Sequence, residues 1–237
     1  MNRRLFRLII LGALFLFFGP GCLFETVPVK QYFVLNYLPS TQVDRLNPAP
    51  YPCTIRLRDF SIEEAYNRPQ IVYRQSPFAL QYYVYRVWAV KPARMVTDLV
   101  YKHLETRNLV SSVIRRFDEG PKPDYELSGV IEALEEYDSE ELWFAHLAIR
   151  MNLVRLSDGQ SVYMRRFDIR KRVYKHTPEN VIRELSALME YIMTQAAHDI
   201  DRRFSKDYGV PSNSGDTTGQ GTLRQQQGTG DNVEEIK

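Results

Sequence analysis

Three consecutive segments near the middle of the chain alternate apolar and polar residues over more than ten positions each. They are Tyr125–Tyr137, Ala145–Leu156 and Ser161–Val173. A period of two over such lengths excludes an amphipathic helix and demands long strands with one buried face. In the first segment the odd positions Tyr125, Leu127, Ile131 and Ala133 are apolar. In the second, Ala145, Leu147, Ile149, Met151 and Leu153 form the apolar face, and His146, Arg150 and Asn152 fall on the opposite, solvent-facing side. In the third, Phe167, Ile169 and Val173 point in, while Arg166, Asp168, Arg170 and Arg172 point out. Ser157–Gln160, "SDGQ", joins the last two as a hairpin turn, and "EGPKPD" (Glu119–Asp124) breaks the chain before the first.

The remaining elements are arranged around this block. Tyr32–Leu38 is a short β-like run, Ser40–Pro52 reads as a loop, and Cys53–Ile62 reads as a strand. Pro69–Trp88 reads as two strands around Gln75-Ser76-Pro77, and Leu109–Phe117 as one more. Pro92 suits the first turn of a helix whose apolar stripe carries Met95, Val96, Leu99, Val100, His103 and Leu104. Thr177-Pro178 combines a capping hydroxyl with proline at the first helical position. It opens a second helix, to about Phe204, with a stripe of Val181, Leu185, Leu188, Met189, Ile192, Ala196 and Ile200. The sum is an α+β fold: an antiparallel sheet of about six to seven strands with two helices packed on one face.

The first 21 residues stand apart. Arg3, Arg4 and Arg7 precede an apolar run, Leu8–Phe18, that ends at Gly19-Pro20-Gly21. As a helix that run is about 16 Å long, roughly half a bilayer core, so it reads as a secretory signal rather than a membrane span. Cys22 follows directly. Small residues before a cysteine at the end of such a run resemble a bacterial lipobox, with Gly19 where leucine is usual. That resemblance implies cleavage before Cys22, a diacylglycerol on its thiol and an acylated new amino group. Leu23 rather than aspartate after it implies sorting to the outer membrane. An unlipidated signal with an incidental cysteine, or a Cys22–Cys53 disulfide, are the other readings of this residue; Cys53 itself reads as a buried lone thiol.

The organisation is therefore a lipoprotein-type signal over 1–21, a lipidated segment and loop over 22–52, an α+β domain over 53–205, and a disordered polar tail over 206–237. Removing residues 1–21 moves the formal charge from +2 to −1, which argues against nucleic acid as the main partner. There is no P-loop motif, no G-x-S-x-G, no H-E-x-x-H and no C-x-x-C, and two cysteines cannot build a four-thiolate metal site. No cofactor and no metal is expected. His103 reads as a core histidine. Glu132, Glu135, Glu136, Asp138, Glu140 and Glu141 cluster, as do Arg165, Arg166, Arg170, Lys171, Arg172 and Lys175. Cross-strand charge pairing at the surface accounts for them better than an acid/base pair such as Glu132 and Glu136, because no nucleophile accompanies them. In Leu80–Trp88, "LQYYVYRVW", aromatic and apolar residues occupy both parities. Either this is a central strand buried on both faces, or Tyr82, Tyr83, Tyr85 and Trp88 form a contact surface for a partner or a lipid.

The order of features resembles a known family. The lipobox is followed by "YFVL", a strand ending in Phe60, "IVYR" (Ile71–Arg74), "LQYYVYRVWAVKP" (Leu80–Pro92), an amphipathic helix, "YELSGVIEALE" (Tyr125–Glu135), "LVRLSDGQSVYMRRF" (Leu153–Phe167) and a C-terminal helix. This is similar to the ABC-type transport auxiliary lipoproteins, including the paraquat-inducible protein C type, over about residues 22–204. The family's usual Arg-Trp pair is opened here to Arg86-Val87-Trp88. The resemblance implies a non-enzymatic, periplasm-facing outer-membrane lipoprotein, membrane-bound through its N-terminal lipid anchor. It would serve an ABC permease, an ATPase and an MCE-domain protein that move a lipid or other hydrophobic cargo. It leaves a lipid ligand and a homo-oligomer open, and transfers one functional position, Cys22. A structural lipoprotein that assists envelope assembly without a transporter is the other reading.

Overall fold

The computed structural model describes residues 28–40, 46–47, 49–115, 120–139, 142–209 and 234–236. The signal segment, Cys22 and most of the C-terminal tail lie outside the described residues. The strands are β1 (Gln31–Phe33), β2 (Tyr51–Leu57), β3 (Ser61–Ile62), β4 (Gln70–Ser76), β5 (Ala79–Trp88), β6 (Val110–Arg115), β7 (Tyr125–Asp138), β8 (Trp143–Arg155), β9 (Ser161–Val173) and β10 (Glu234–Ile236). The helices are α1 (Pro92–Arg107), between β5 and β6, and α2 (Pro178–Asp207), after β9.

The fold is α+β as expected, but its sheet is larger and mixed rather than antiparallel. Strands β7, β8 and β9 form the antiparallel block that their alternation requires. The other edge of β7 takes three short strands in series, all parallel to it. β2 pairs at Tyr125–Leu127, β3 at Val130–Ile131 and β4 at Glu135–Tyr137. β6 adds in parallel to β2, and β5 adds antiparallel to β4. β1 lies parallel to β5, and β10 parallel to β9. Parallel neighbours need crossover connections, which local alternation does not register.

Both helices start where expected. Pro92 and Pro178 occupy the first turn, and the Thr177 hydroxyl accepts a hydrogen bond from the Asn180 N–H at 3.3 Å. α1 stops at Asn108, which adopts left-handed geometry at φ 48° and bonds its N–H to the Glu105 carbonyl. α2 runs to Asp207, past the boundary expected at 205. It packs over β8 and β9, while α1 covers β3 and β6. The expected apolar stripes of both helices are buried with Ala145, Leu147, Ile149, Met151 and Leu153 in one core. Burial of each Leu, Ile, Val or Met side chain among them contributes about 1.5–3 kcal/mol.

Several local readings change. The single strand expected over Cys53–Ile62 is two, β2 and β3, which seat at different places on β7. The first strand ends at Phe33 rather than Leu38, because Leu35 and Tyr37 turn into the core and the Leu35 N–H bonds Met95 Sδ at 3.2 Å. In β7, Ile131 pairs Ile149 but Ala133 pairs Ala148, so Glu132 is an extra residue in the ladder. Such a bulge reverses the parity of every residue after it. Beyond it Leu134 enters the core under the helices. Ala133 does not join Tyr125, Leu127 and Ile131; it forms a second small cluster with Tyr66, Val72 and Ala148 on the opposite face.

Candidate interaction face and its buried polar support

Strand β5 is not central. It pairs β4 along one side, while on the other β1 covers only Arg86–Trp88. Among the described residues, Ala79–Tyr85 therefore forms an open sheet edge. The four sequence-selected aromatics separate accordingly. Tyr82 is 38% exposed and Tyr85 43% exposed, with Val84 open between them. Tyr83 is half-buried, stacked on Tyr73 with ring centroids 4.5 Å apart and capped by the Arg86 guanidinium at 4.2 Å. Trp88 is only 5% exposed and belongs to the core, so it has no place in a contact surface. Aromatics on both parities thus do not reflect burial on both faces: Tyr82 and Tyr85, of opposite parity, are both exposed, and the β4–β5 register shifts between Tyr82 and Val87. At the hairpin tip before β5, Phe78 is 98% exposed.

Beside this edge the sheet face opposite the helices carries a buried ionic chain that the alternation pattern misassigned. His146 is only 7% exposed, not solvent-facing. The bulge at Glu132 brings Glu135 to its side, and the chain between β3 and β4 lays Tyr66 over the pair. His146 Nδ1 stands 2.9 Å from Glu135 Oε1, and its Nε2 stands 2.8 Å from Asp168 Oδ1. With carboxylate oxygens at both ring nitrogens, both must donate, so the ring is an imidazolium. Glu135 also accepts from the Tyr66 hydroxyl at 2.8 Å and from Arg74 Nε at 3.0 Å. On the other side Arg166 reaches Asp168 Oδ2 at 2.8 Å and Glu132 Oε2 at 2.6 Å, and Arg150 reaches Glu132 at 3.3 Å. Charges alternate from β4 through β7 and β8 to β9.

The titrations follow this geometry. Burial opposes the charge on His146, but the hydrogen bonds to Asp168 and Glu135 outweigh it and raise its pKa. The His146 bond holds Asp168 down at about 2 against the opposing effect of burial. Burial raises the Glu135 carboxyl, yet bonds from His146, Tyr66 and Arg74 leave it below its ordinary value.

Glu136 points the other way, into the helix side of the sheet. It accepts from the Tyr83 hydroxyl at 3.0 Å and pairs with His176, whose ring stacks on Trp143 at 4.6 Å. Glu132 and Glu136 are thus engaged on opposite faces, and the structure does not bring them together as an acid/base pair. The surface-pairing expectation holds for Glu132; Glu135 and Glu136 are buried.

His103 is a buried core histidine, held down at about 4 by burial and by the Arg107 charge, with its Nδ1 3.2 Å from the Tyr37 hydroxyl. Cys53 is buried and free, and burial pushes its thiol up to about 11. No set of three His, Cys, Asp or Glu side chains among the described residues is placed to hold a metal. No described helix is long and apolar enough to cross a membrane. Two surface clefts, of about 500 and 520 Å³, share Arg58 and Asp59 and are lined mostly by polar and charged residues such as Arg56, Glu126, Arg150 and Asn152. Neither presents the apolar wall that a lipid tail requires.

The fold is a two-helix layer on a mixed sheet, with an open aromatic edge on β5 and a buried ionic chain on the face without helices. The family model for the ABC-type transport auxiliary lipoprotein component matches residues 33–197, and the chain belongs to that family. Its fold is shared by a solved protein of Xanthomonas campestris assigned to the DUF330 family. That match has a TM-score of 0.62 and 20% identity, covering 76% of this chain and 99% of the other. A second solved structure, of an uncharacterized protein, aligns with a TM-score of 0.55 and 11% identity, covering 75% of this chain and 99% of the other. No match is found among curated proteins.

Proposed function

We propose that this chain is a non-enzymatic accessory subunit of an ABC-type transport system, anchored through Cys22 at the outer membrane and facing the periplasm. The single observation that carries the reading is the family match across residues 33–197, nearly the whole described domain. The partners are a permease, an ATPase and an MCE-domain protein, and the cargo class is lipid. The chain's part is docking. Its β5 strand supplies the contact, with the exposed Tyr82 and Tyr85 rings as anchors on a strand held by Tyr83, Glu136 and His176 behind it. Tyrosine at a half-open site combines a large apolar face with a polar tip, the composition of interface anchors.

The test is co-purification after mild detergent extraction. The wild-type chain brings down the permease, ATPase and MCE components, and Tyr82→Ser with Tyr85→Ser reduces the yield at least tenfold while leaving the fold unchanged. Recovery of the anchored protein alone, under conditions that keep those components assembled, replaces this reading with that of a structural envelope lipoprotein. The mass of the natural N-terminal peptide reads the acylation of Cys22 directly.

A further inference from the structure

After β1 the chain runs as a strap across both helices. The Leu35 N–H bonds Met95 Sδ on α1 at 3.2 Å, and the Asn36 N–H bonds Ser186 Oγ on α2 at 3.1 Å. The Tyr37 hydroxyl stands 3.2 Å from His103 Nδ1, again on α1. Phe33, Leu35 and Tyr37 pack on the core and fix the inner side of the strap. The outer side takes the alternate residues. Tyr32, Val34 and Leu38 lie there, with Asn36 between the last two, and Val29 is exposed just before β1. These four apolar side chains are between 50 and 82% exposed. An extended segment packed on one side normally presents polar residues on the other, so an apolar row there marks a contact surface.

The surroundings of the row are cationic. β1 pairs with β5 at Arg86–Trp88, and the Phe33 carbonyl accepts from the Ala89 N–H at 2.8 Å. The two stretches that meet there, 28–40 and 86–94, contain Lys30, Arg86, Lys91 and Arg94 and no acidic residue, in a chain whose charges nearly balance. Lys30, Lys91 and Arg94 are exposed, and none of the three forms an ion pair among the described residues. Arg94 directly precedes the Met95 that the strap bonds.

The occupant follows from chain length and charge. Pro28 is six residues after Cys22, so the strap begins at most about 22 Å from that cysteine, whatever path the chain takes. With Cys22 in a bilayer, contact between the strap and that bilayer is intramolecular. An apolar row containing a tyrosine and bordered by cations suits the headgroup region of an anionic leaflet.

We propose that the outer side of the strap, from Val29 to Leu38, rests on the anionic lipid surface in which Cys22 is anchored, with Lys30, Lys91 and Arg94 at the headgroups. Because the inner side of the strap is bonded to both helices, this contact sets the orientation of the whole domain on the membrane. The inference rests on anchoring at Cys22 from the reading above.

The experiment couples the full chain from Cys22 onward, through that thiol, to a maleimide-bearing lipid in vesicles of phosphatidylethanolamine and phosphatidylglycerol. Cys53 is buried and does not compete. Hydroxyl-radical modification of individual side chains is then read by mass spectrometry, with the exposed Met164 and Tyr174 as references. The expected result is modification of Tyr32 and Leu38 about fivefold lower in the tethered parent than in the free chain, with the references unchanged. Tethered Lys30→Glu with Lys91→Glu and Arg94→Glu should be modified like the free chain. Equal modification of Tyr32 and Leu38 in the tethered and free parent overturns the proposal, as does protection that the charge reversal leaves intact. So does protection that grows with the density of chains on the vesicle, which assigns the row to a second copy, or protection that appears only on adding transport components, which assigns it to a partner protein. Because the maleimide tether replaces natural acylation, an unacylated natural Cys22 defeats the anchoring reading without affecting this measurement.

Discussion

His146 Nε2 and Asp168 Oδ1 lie 2.8 Å apart across the β8–β9 ladder, on the sheet face that carries no helix. Their residues form neighbouring positions in the register, His146 opposite Arg170 and Ala148 opposite Asp168, so the bond is a diagonal one. With Glu135 on the other ring nitrogen, it makes His146 the cationic centre of an ionic chain spanning four strands.

The first prediction concerns that cation. The folded-state pKa of His146 is raised above its ordinary 6.5. Its stabilising contribution is therefore fully present below about pH 6.5 and is lost as pH rises through the folded value. Asp168 and Glu135 run the other way: their contribution is present above the ordinary carboxylate range and is lost as pH falls through their lowered values. Urea unfolding at pH 6 and pH 9 should show the wild type less stable at the higher pH, with His146→Gln lacking that difference. An imidazole resonance of His146 that titrates at or below 6.5 contradicts this account.

Glu135 is 1% exposed and neutralises two cations, Arg74 and His146. Removing one partner of a buried pair strands the others, at a cost of about 3–5 kcal/mol. Glu135→Gln should lower stability by that order in urea denaturation. Glu126→Gln, which removes a partner from the more exposed Arg56 and Arg58, should cost about 0–1 kcal/mol.

Gly129 in β7 sits directly beneath the buried Phe60 ring, and a Cβ there would overlap it. Gly129→Ala should destabilise by about 1–3 kcal/mol, the cost of overpacking. Combining it with Phe60→Leu should recover part of the loss. A double-mutant cycle checks this, and additive effects would count against the contact.

The Thr177 cap satisfies a helix N–H that otherwise lacks a partner. Thr177→Ala should cost about 1 kcal/mol, while Thr177→Asp should retain most of the stability, both read from chemical denaturation.

Cys53 should resist alkylation in the folded protein, since burial raises its thiol to about 11 and keeps reagent out. Mass spectrometry after brief iodoacetamide treatment at pH 8 should find it unmodified, and modified only after addition of urea.

Strand and helix identities were legible because each depends on a short-range period. The alternation in β8 and β9, the proline starts of α1 and α2 and the stripes from Met95 and Val181 all describe a single element against a single core, and the structure buries them as read. Family membership was legible for the same reason, as an ordered series of local motifs. What tertiary structure decided involves residues that meet only after the sheet closes. The parallel seats of β2, β3 and β4 on β7 depend on crossovers, whose direction local alternation does not encode. The bulge at Glu132 adds one residue without any glycine or proline to mark it, and reverses the parity that places Ala133 and Glu135. His146 carried the polar parity of an exposed residue, and only the meeting of Glu135, Asp168 and Tyr66 buries it. Period two specifies which face a side chain takes; what covers that face is settled by contacts distant in sequence, as when Arg74 and Tyr66 arrive at Glu135 from more than sixty residues away.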